Sequence, residues 1–416
     1  MQEKQKMTLR SNKIMALFRM FSWDLLFFYS FSVLFLTQVK GFSEAEIMYT
    51  SAVVSLVPIL LQYPFNIIAK KIGPLKSVRL GSFCLFAFTI GILLYDNIVL
   101  LYINYCLQAI GSIFLAPNIS VLAIKNLKVE GKDSEFSKIE GQGASLYYIF
   151  NAVASIGLGY LFDVNPYLTM SFSVIASAIC LLLAFILRDE SAEACLVLEN
   201  VKPQQEKIKK SKKRRSISLP VLYVLCMAFC FYGLLMVESK VDQLLFQEVL
   251  FDAVIIGWVN FGISITKSIA GEIFKFFKGH AKIFITFMPI CYLSILLVLA
   301  LIFIFVQDLL VLQILVVAVC CLLPFFNIPF KVGTKDFIRQ NVEEAAQMNA
   351  FSALFIVRNG SQLIFSFTIG SLLTGMSISS SLLYIVFLSG GLFALSQLIY
   401  FIVKRVKEKK ISVFLR

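Results

Sequence analysis

Residues 62–76 read QYPFNIIAKKIGPLK, and this short stretch joins two long apolar runs of the chain. The first run ends at the basic pair Lys70 and Lys71, Gly73 follows, and the second run begins after Lys76. Basic turns between apolar helices are typical of the cytoplasmic side of multi-span membrane proteins. The stretch therefore predicts two membrane helices joined by a tight basic turn.

The same pattern of apolar runs extends over all 416 residues. The composition is 59% apolar and 15% charged, whereas a soluble domain is about half apolar and a quarter charged. The runs are about 18 to 25 residues long, the length that an α-helix needs to cross roughly 30 Å of hydrocarbon. They are continuous and do not alternate as barrel strands do. We therefore predict an all-α integral membrane protein with twelve transmembrane helices. The predicted spans are residues 20–39, 47–69, 78–95, 98–122, 144–162, 167–187, 219–237, 253–274, 283–306, 308–330, 350–373 and 381–403.

The net charge of +13 raises the question of a nucleic-acid partner, and the distribution of the basic residues answers it. If both termini are cytoplasmic, all but four of the 38 Lys and Arg residues lie on the cytoplasmic side. Lys40 and Lys240 fall outside, and Lys267 and Arg358 lie within spans. This asymmetry follows the positive-inside rule. It predicts two cytoplasmic termini and excludes nucleic acid as a partner.

A polar and basic segment separates the first six spans from the last six. It contains residues 207–215, which read KIKKSKKRR. We predict an N-terminal six-helix bundle over residues 1–187, a basic cytoplasmic linker over residues 188–218 and a C-terminal six-helix bundle over residues 219–416.

The two groups of spans share sequence features at matching positions, as expected of a transporter built from repeats. Asn151 in span 5 and Asn359 in span 11 occupy matching places in the two groups. Span 5 also carries small residues, including Gly157 and Gly159. Small residues let two membrane helices approach closely, so we predict a tight helix contact at span 5.

The stretch over residues 62–76 resembles the loop between helices 2 and 3 of the major facilitator superfamily, which reads Gly-x-x-x-Asp-Arg-x-Gly-Arg-Arg or Lys. Asn66 stands at the position of the first glycine, and Lys70 stands at the position of the aspartate. The matching positions are Pro64, Lys71, Gly73 and Lys76.

Three further phrases are similar to a group of bacterial members of that superfamily whose substrates are unassigned. They are FYSFSVLFLTQVKGFSEAEI at residues 28–47, EFSKIEGQGASLYYI at residues 135–149 and GYLFDVNPYL at residues 159–168. The resemblance implies two six-helix bundles around a pseudo-twofold axis, with a solute site between them. Spans 3, 6, 9 and 12, which carry no charge in their interiors, are the peripheral helices of that fold. A monomeric secondary transporter in a bacterial plasma membrane is also implied, with the lipid bilayer and a small molecule as its partners.

The leading expectation for function is gradient-driven, proton-coupled export of a lipophilic small molecule. The 41 phenylalanines support a lipophilic solute, and the family places residues of spans 1 and 7, such as Phe28 and Phe231, around its central cavity. Nutrient or peptide uptake and a lipid flippase stay open as alternatives. Lys70 replaces an acid that the family uses for contacts between the bundles, so a non-transporting membrane sensor also stays open.

The sequence predicts no enzyme. The chain has no Gly-x-x-x-x-Gly-Lys-Ser/Thr loop for ATP. Its one histidine, His280, excludes sites that need several histidines or a His-dependent triad. The nine cysteines form no Cys-x-x-Cys pair and lie mostly within spans, where they pack as small apolar residues. We therefore predict no enzymatic activity, no cofactor and no metal site.

Charged residues inside the predicted spans are the first candidates for a functional site. Each costs about 2.5 to 3.5 kcal/mol to insert, so it faces a cavity or a partner. They include Asp24 in span 1, Lys267 in span 8 and Arg358 in span 11, with Glu238 at the outer end of span 7. Arg358 either binds an anionic group of the solute or forms a salt bridge between the halves, and the same choice holds for Lys267.

Asp24 and two asparagines complete the set of candidates. Asp24 either exchanges a proton during transport or pairs with Arg19 or Arg358. Asn151 and Asn359 are the uncharged candidates for the solute or coupling site. An interhelical hydrogen bond, worth on the order of 1 kcal/mol, is the simpler role for Asn151.

Overall fold

The computed structural model describes residues 14–22, 28–129, 131, 136–189, 219–236, 240–276, 281–342 and 344–414. Over these ranges the chain is helical apart from short turns, and they contain no β-strand. The helices of the described residues form two six-helix bundles, which confirms the predicted all-α architecture.

The first bundle contains six helices in chain order. α1 is Phe28–Leu34 and continues as a π-helix over Phe35–Val39. The other five are α2 (Glu44–Ile72), α3 (Pro74–Leu94), α4 (Ile98–Val129), α5 (Phe136–Val164) and α6 (Pro166–Ile186).

The second bundle also contains six helices. The structure describes α7 over Leu219–Met236 and Asp242–Glu248, and α10 comprises Leu309–Leu322, a 3-10 turn at Leu323–Phe326 and Asn327–Asn341. The remaining helices are α8 (Ala253–Phe276), α9 (Ala281–Phe305), α11 (Glu344–Leu373) and α12 (Ile378–Phe414).

The length and polarity of these helices fit a lipid environment. Nine helical segments among the described residues are long and apolar enough to cross a membrane, and α1 and α7 add shorter apolar segments. Large apolar side chains such as Phe185, Phe305 and Phe387 are exposed on the outer surface. Since a helix bonds all its backbone groups internally, this apolar surface can face hydrocarbon directly.

One predicted boundary is wrong in a way that matters for the site. Span 10 was expected to end at residue 330, but α10 continues to Asn341. The sequence becomes more polar after Phe330, which marks the end of a span when hydropathy alone is considered. In the structure these polar residues extend the same helix, so Lys331 lies within α10 and not in a cytoplasmic turn.

The turn at residues 72–74 is as tight as the sequence predicts. Gly73 is the single residue between α2 and α3, and its φ of +86° lies where a side chain would be strained. Pro74 is the first residue of α3, a position where its fixed φ and missing N–H are well tolerated. The Ser77 hydroxyl donates to the Gly73 carbonyl over 2.8 Å.

Small residues of α5 and α8 bring the two bundles into direct backbone contact. A Cβ added to Gly159 would lie 2.7 Å from the Ala253 carbonyl oxygen, and one added to Gly257 would lie 2.6 Å from that of Ser155. The predicted close contact at span 5 is therefore confirmed at Gly159. Gly157 has open space around it and takes no part.

A second contact between the bundles joins α2 to α11. The Tyr49 ring lies 6.0 Å from the Phe367 ring, and it fills the space beside Gly370. The predicted linker lies mostly outside the described residues, so the division at residues 188–218 stays a prediction.

Candidate functional site

The two ends of the helix bundle carry different connections. We call the end with the connections at residues 40–43, 249–252 and 374–377 the distal end. The proximal end carries Gly73 and the connection between α10 and α11. The sequence predicts that the distal end lies outside the cell.

A cavity of about 190 Å³ lies between the two bundles. Its walls come from α1, α2, α4 and α5 of the first bundle and from α7, α8, α10 and α11 of the second. Among the described residues that line it, none belongs to α3, α6, α9 or α12. Those are the four helices that the resemblance places at the periphery.

The wall formed by the N-terminal bundle carries no charge among its described residues. Its aromatic side chains are tyrosines, and its other polar groups are hydroxyls and amides. The lining residues of this wall are Tyr29, Ser30, Ser51, Val54, Ser55, Tyr105, Gln108, Tyr147, Tyr148 and Asn151.

The wall formed by the C-terminal bundle holds every charged residue of the described lining. It contains four basic side chains and one carboxylate. The charged residues are Lys240 and Asp242 of the α7 region, Lys267 of α8, Lys331 of α10 and Arg358 of α11. The cavity therefore has a marked positive excess on one side.

Lys267 and Arg358 are two of the three lining cations that lie against tyrosine rings. The Lys267 Nζ lies 5.5 Å from the centroid of the Tyr148 ring, and the Arg358 guanidinium lies 5.5 Å from that of Tyr232. Attraction between a cation and the ring face lowers the cost of keeping the charge away from bulk water. The rings therefore help to hold these cations at the cavity.

Asn151 connects three helices at the cavity wall. Its side-chain amide donates to the Ser264 hydroxyl of α8 over 3.2 Å and accepts from the Ser30 hydroxyl of α1 over 3.4 Å. Next to it, the Asn260 amide of α8 donates to the Ser30 carbonyl over 3.0 Å. Asn151 thus has the interhelical bonds predicted for it, and it also faces the solute space.

Side chains of the α7 region bond across to the first bundle on the distal side of the cavity. The Lys240 ammonium donates to the Ile47 carbonyl over 3.1 Å and to the Thr50 hydroxyl over 2.8 Å. The Gln243 side chain accepts from the Val33 backbone N–H over 3.1 Å. Since Ile47, Thr50 and Val33 all belong to the first bundle, these bonds tie the two bundles together.

The other predicted candidates have different placements. Asp24 and Glu238 lie outside the described residues. Asn359 is buried, and its amide donates to the Phe355 carbonyl of its own helix over 2.7 Å, away from the cavity lining.

The residues that match or replace the signature loop lie at the proximal end. Asn66 donates to the Ser352 hydroxyl of α11 over 3.3 Å, which links the two bundles. Pro64 lies inside α2, and the side chains of Lys70, Lys71 and Lys76 are exposed. None of them lines the described cavity.

The phenylalanines expected at the cavity pack elsewhere. Phe28 and Phe231 are almost fully buried. Phe28 packs against Phe88, and Phe231 packs against Phe330, with ring centroids 5.3 Å and 4.2 Å apart. Five of the six aromatic rings in the described lining are tyrosines and the sixth is Phe246, so most of the aromatic surface carries hydroxyl groups.

Sequence reasoning missed three charged residues of the lining. Lys240 was assigned to the outer side, Lys331 was assigned to the cytoplasm, and Asp242 was not considered. The structure corrects the assignment of Lys331, which lies within α10, and it shows that Lys240 is almost fully buried at the cavity wall. All three lie within a few residues of the end of a strongly apolar run, which is the signal that could have found them.

The described residues contain no group of three or more metal-ligating side chains. The polar groups of the lining are instead hydroxyls, amides, ammonium groups, a guanidinium and a carboxylate. This set suits an organic solute that makes hydrogen bonds and ion pairs.

Two bundles of six helices around a polar central cavity define a membrane transporter of the alternating-access class. The model of the Major Facilitator Superfamily matches residues 14–361 of the chain. The chain therefore belongs to this superfamily, as its signature-like turn indicated. No curated protein matches the chain.

Solved structures with the same fold cover nearly the whole chain. The nucleoside transporter NupG has a TM-score of 0.65 at 13% identity and covers 95% of this chain and 99% of its own. The peptide transporter POT in complex with sulfate has a TM-score of 0.67 at 12% identity, with 96% and 94% covered. At these identities the similarity shows the fold alone.

Proposed function

We propose that this protein is a gradient-driven secondary transporter that moves a small organic anion across the membrane. The observation that carries the proposal is the group of four basic side chains around one cavity, against a single described carboxylate. The solute would carry a carboxylate, sulfonate, sulfate or phosphate group. The superfamily membership supports the transporter class.

The cost of buried charge is the physical reason for preferring an anion. A cation held in a low-dielectric cavity loses solvation, and an anionic solute adds a strong electrostatic attraction to it. Arg358 offers a planar donor pair that fits a carboxylate or phosphate, while lysines act as point charges. An uncharged lipophilic solute would leave all of these groups without a new partner.

The opposite wall suggests the rest of the solute. Tyr105, Tyr147 and Tyr148 present rings together with hydroxyl groups. Such a surface accepts an aromatic or partly polar body next to the anionic group. The volume of about 190 Å³ is smaller than the roughly 300 to 1,000 Å³ of drug-sized pockets. A small amphipathic anion therefore fits better than the lipophilic compound expected from the phenylalanine content.

Asp242 supports proton coupling. Its carboxylate is 2% exposed and lies in the same wall as the four basic residues. A proton on Asp242 removes the negative charge of the wall and strengthens the binding of an anion. By linkage the anion strengthens the binding of the proton to the same degree. Proton and anion then move together, and an inward proton gradient drives uptake. Asp24 stays the second carboxylate proposed for coupling.

The test uses proteoliposomes with an alkaline interior. Radiolabelled benzenesulfonate, phenyl phosphate and succinate are added one at a time, with benzenesulfonamide as the uncharged analogue. We expect saturable accumulation of at least one anion, with proton entry, and none of the sulfonamide. Equal entry of the sulfonamide, or extrusion of a lipophilic cation such as tetraphenylphosphonium, would instead support the export of lipophilic compounds.

A matched pair of lysines on α10 controls for general effects of charge. Lys331 lines the cavity, and Lys335 lies one turn further toward the proximal end, outside the lining. We expect Lys331→Gln to reduce the initial rate about tenfold, because removing one member of a buried ion pair costs more than 1.4 kcal/mol. Lys335→Gln should leave the rate within about twofold.

A further inference from the structure

The second part of α7 presents one polar face to the N-terminal bundle. Gln243 lies three residues after Lys240, and Gln247 lies four residues after Gln243. At this spacing the three side chains lie on the same side of the helix. Gln247 donates to the Thr37 hydroxyl over 3.0 Å, while Gln243 bonds to the backbone at Val33 and Tyr29 of α1. Together with Lys240 they form the distal closure, a name we use for these three side chains.

Lys240 differs from the two glutamines because its side chain ends in an ionisable amine. Its ammonium is held by the Ile47 carbonyl, the Thr50 hydroxyl and the face of the Tyr105 ring at 5.2 Å. All three partners are uncharged. Over the described residues, no carboxylate lies within ion-pair distance of Lys240. Glu238 lies outside those residues.

Lys240 belongs to the distal closure and to the cavity wall at the same time. Its side chain lines the cavity that also contains Lys267, Lys331 and Arg358. An anion that enters this space offers the ammonium a charged partner, which binds an ammonium more strongly than a carbonyl and a hydroxyl do. A solute in the cavity therefore competes with α2 for Lys240.

The backbone around Lys240 departs from a regular α-helix. Residues 240–241 form a π-helical turn before the second part of α7 begins at Asp242. Such turns break the regular ladder of backbone hydrogen bonds and often occur at functional sites. A change in the side-chain partner of Lys240 can therefore shift the second part of α7 without moving the whole helix.

We propose that Lys240 is a substrate-responsive latch. It holds the distal end closed by bonding to α2 while the cavity is empty, and it turns to the anionic group of the solute when one binds, which releases α7 from α2. This role rests on the proposed anion transport for its second half only. Holding the empty protein closed requires the bonds to Ile47 and Thr50 alone.

The test measures how often the distal end opens. Ser55 lines the cavity, is 2% exposed and becomes a reporter as Ser55→Cys, a nearly isosteric change. A membrane-impermeant methanethiosulfonate reagent is added outside intact cells, and the rate of labelling is recorded. Since none of the eight described cysteines lines the cavity, the parent protein without the reporter supplies the background rate.

Without any solute, Lys240→Met is expected to raise the labelling rate at least fivefold, and Lys240→Arg is expected to keep it near the parental rate. Lys40→Met is the matched control, because Lys40 is also a distal lysine but bonds to the Leu93 carbonyl and Asp96 within its own bundle. It should leave the rate unchanged. An unchanged rate in Lys240→Met would overturn the latch.

Two further measurements keep the result interpretable. Thr50→Val removes one acceptor from α2 and should raise the rate about twofold, which tests the latch even if Lys240→Met does not fold. Phenyl phosphate should accelerate labelling of the parent reporter and have no effect on Lys240→Met.

The outcomes separate the latch from the proposed transport. If the parent accumulates an anion from the transport panel but that anion does not change labelling, the latch is overturned while the transport proposal stands. If the parent accumulates no anion and Lys240→Met still labels faster, the transport proposal fails and the closing role of Lys240 is supported.

Discussion

The two walls of the central cavity differ more than the two bundles that form them. The bundles share the same order of six helices, yet the described N-terminal wall is neutral and rich in tyrosine, whereas the C-terminal wall carries four cations and a carboxylate. The repeated fold determines the positions of the two walls, and a few side chains determine which chemical groups each wall can bind. We infer that the C-terminal wall holds the charged group of the solute and that the N-terminal wall contacts the rest of it.

The matching asparagines show how little is needed for this divergence. Asn151 faces the cavity and bonds to α1 and α8, while Asn359 bonds to its own helix and the preceding residue, Arg358, faces the cavity. One residue along an α-helix corresponds to a rotation of about 100°. A shift of one residue in which position faces the cavity therefore replaces an amide with a guanidinium at nearly the same height in the site.

The largest expected effect tests the difference between the walls directly. Arg358→Gln removes a planar charged donor from the C-terminal wall, and we expect anion uptake at low concentration to fall about 100-fold, close to 2.7 kcal/mol. Tyr148→Phe removes only a hydroxyl from the N-terminal wall and should cost about threefold. Initial rates in proteoliposomes measure both.

Arg405→Gln serves as the control for that experiment. Arg405 lies on α12 against the Phe401 ring, away from the cavity, so uptake should stay at the parental level. The inferred difference between the walls would be wrong if Tyr148→Phe reduced the uptake rate as much as Arg358→Gln. Hydrogen bonding, and not charge, would then dominate recognition of the solute.

A second prediction concerns the single described carboxylate of the charged wall. Asp242→Asn should reduce proton-driven accumulation of the anion about tenfold, because the linked proton site is lost. Exchange of internal for external anion needs no net proton movement and should continue. Uptake with and without a pH gradient measures the two modes.

Asp252→Asn is the matched control for Asp242. Asp252 lies at the distal end and caps α8 through a bond from the Ile255 N–H over 2.7 Å, which asparagine can also accept. Its substitution should change neither mode. Intact proton-driven accumulation in Asp242→Asn would move the coupling role to Asp24.

A third prediction concerns the contact that joins the two walls. Gly257→Ala would place a methyl group 2.6 Å from the Ser155 carbonyl, so α5 and α8 must separate. We expect a loss of about 1 to 3 kcal/mol in stability, the usual cost of overpacking. Gly157→Ala is the control, since it meets only open space. Thermal unfolding in detergent compares the two, and equal midpoints would show that this contact is not tight.

The sequence was sufficient for the architecture because hydropathy is a local property. Apolar runs long enough to cross the membrane mark the helices wherever they lie, and the turn at Gly73 follows from residues that are adjacent in the chain. Lys267 and Arg358 were recognised as candidates for the same reason, since each lies inside an apolar run. Their shared cavity could not be predicted, because it depends on how α8 and α11 pack.

Lys240 and Lys331 were missed for a physical reason that applies to other transporters. Both stand just beyond the end of an apolar run, where the positive-inside rule assigns a basic residue to water. The helix α10 continues through Lys331, helical structure is again present from Lys240 onward, and the cavity supplies the polar surroundings that the lipid cannot. A polar extension of a membrane helix is therefore as much a sign of a solute site as a charge inside the span.

The smallest expected effect separates the two asparagines. Asn151→Ala removes bonds that join α5 to α1 and α8, so we expect a loss of about 1 kcal/mol in stability and a higher apparent KM for the anion. Asn359→Ala removes a bond within one helix turn and should change stability by less than about 0.5 kcal/mol, with an unchanged KM. Unfolding midpoints and concentration-dependent uptake measure both quantities. Equal effects at the two positions would mean that the two asparagines contribute equally to stability and to binding of the solute. The difference between the walls would then be confined to the charged residues.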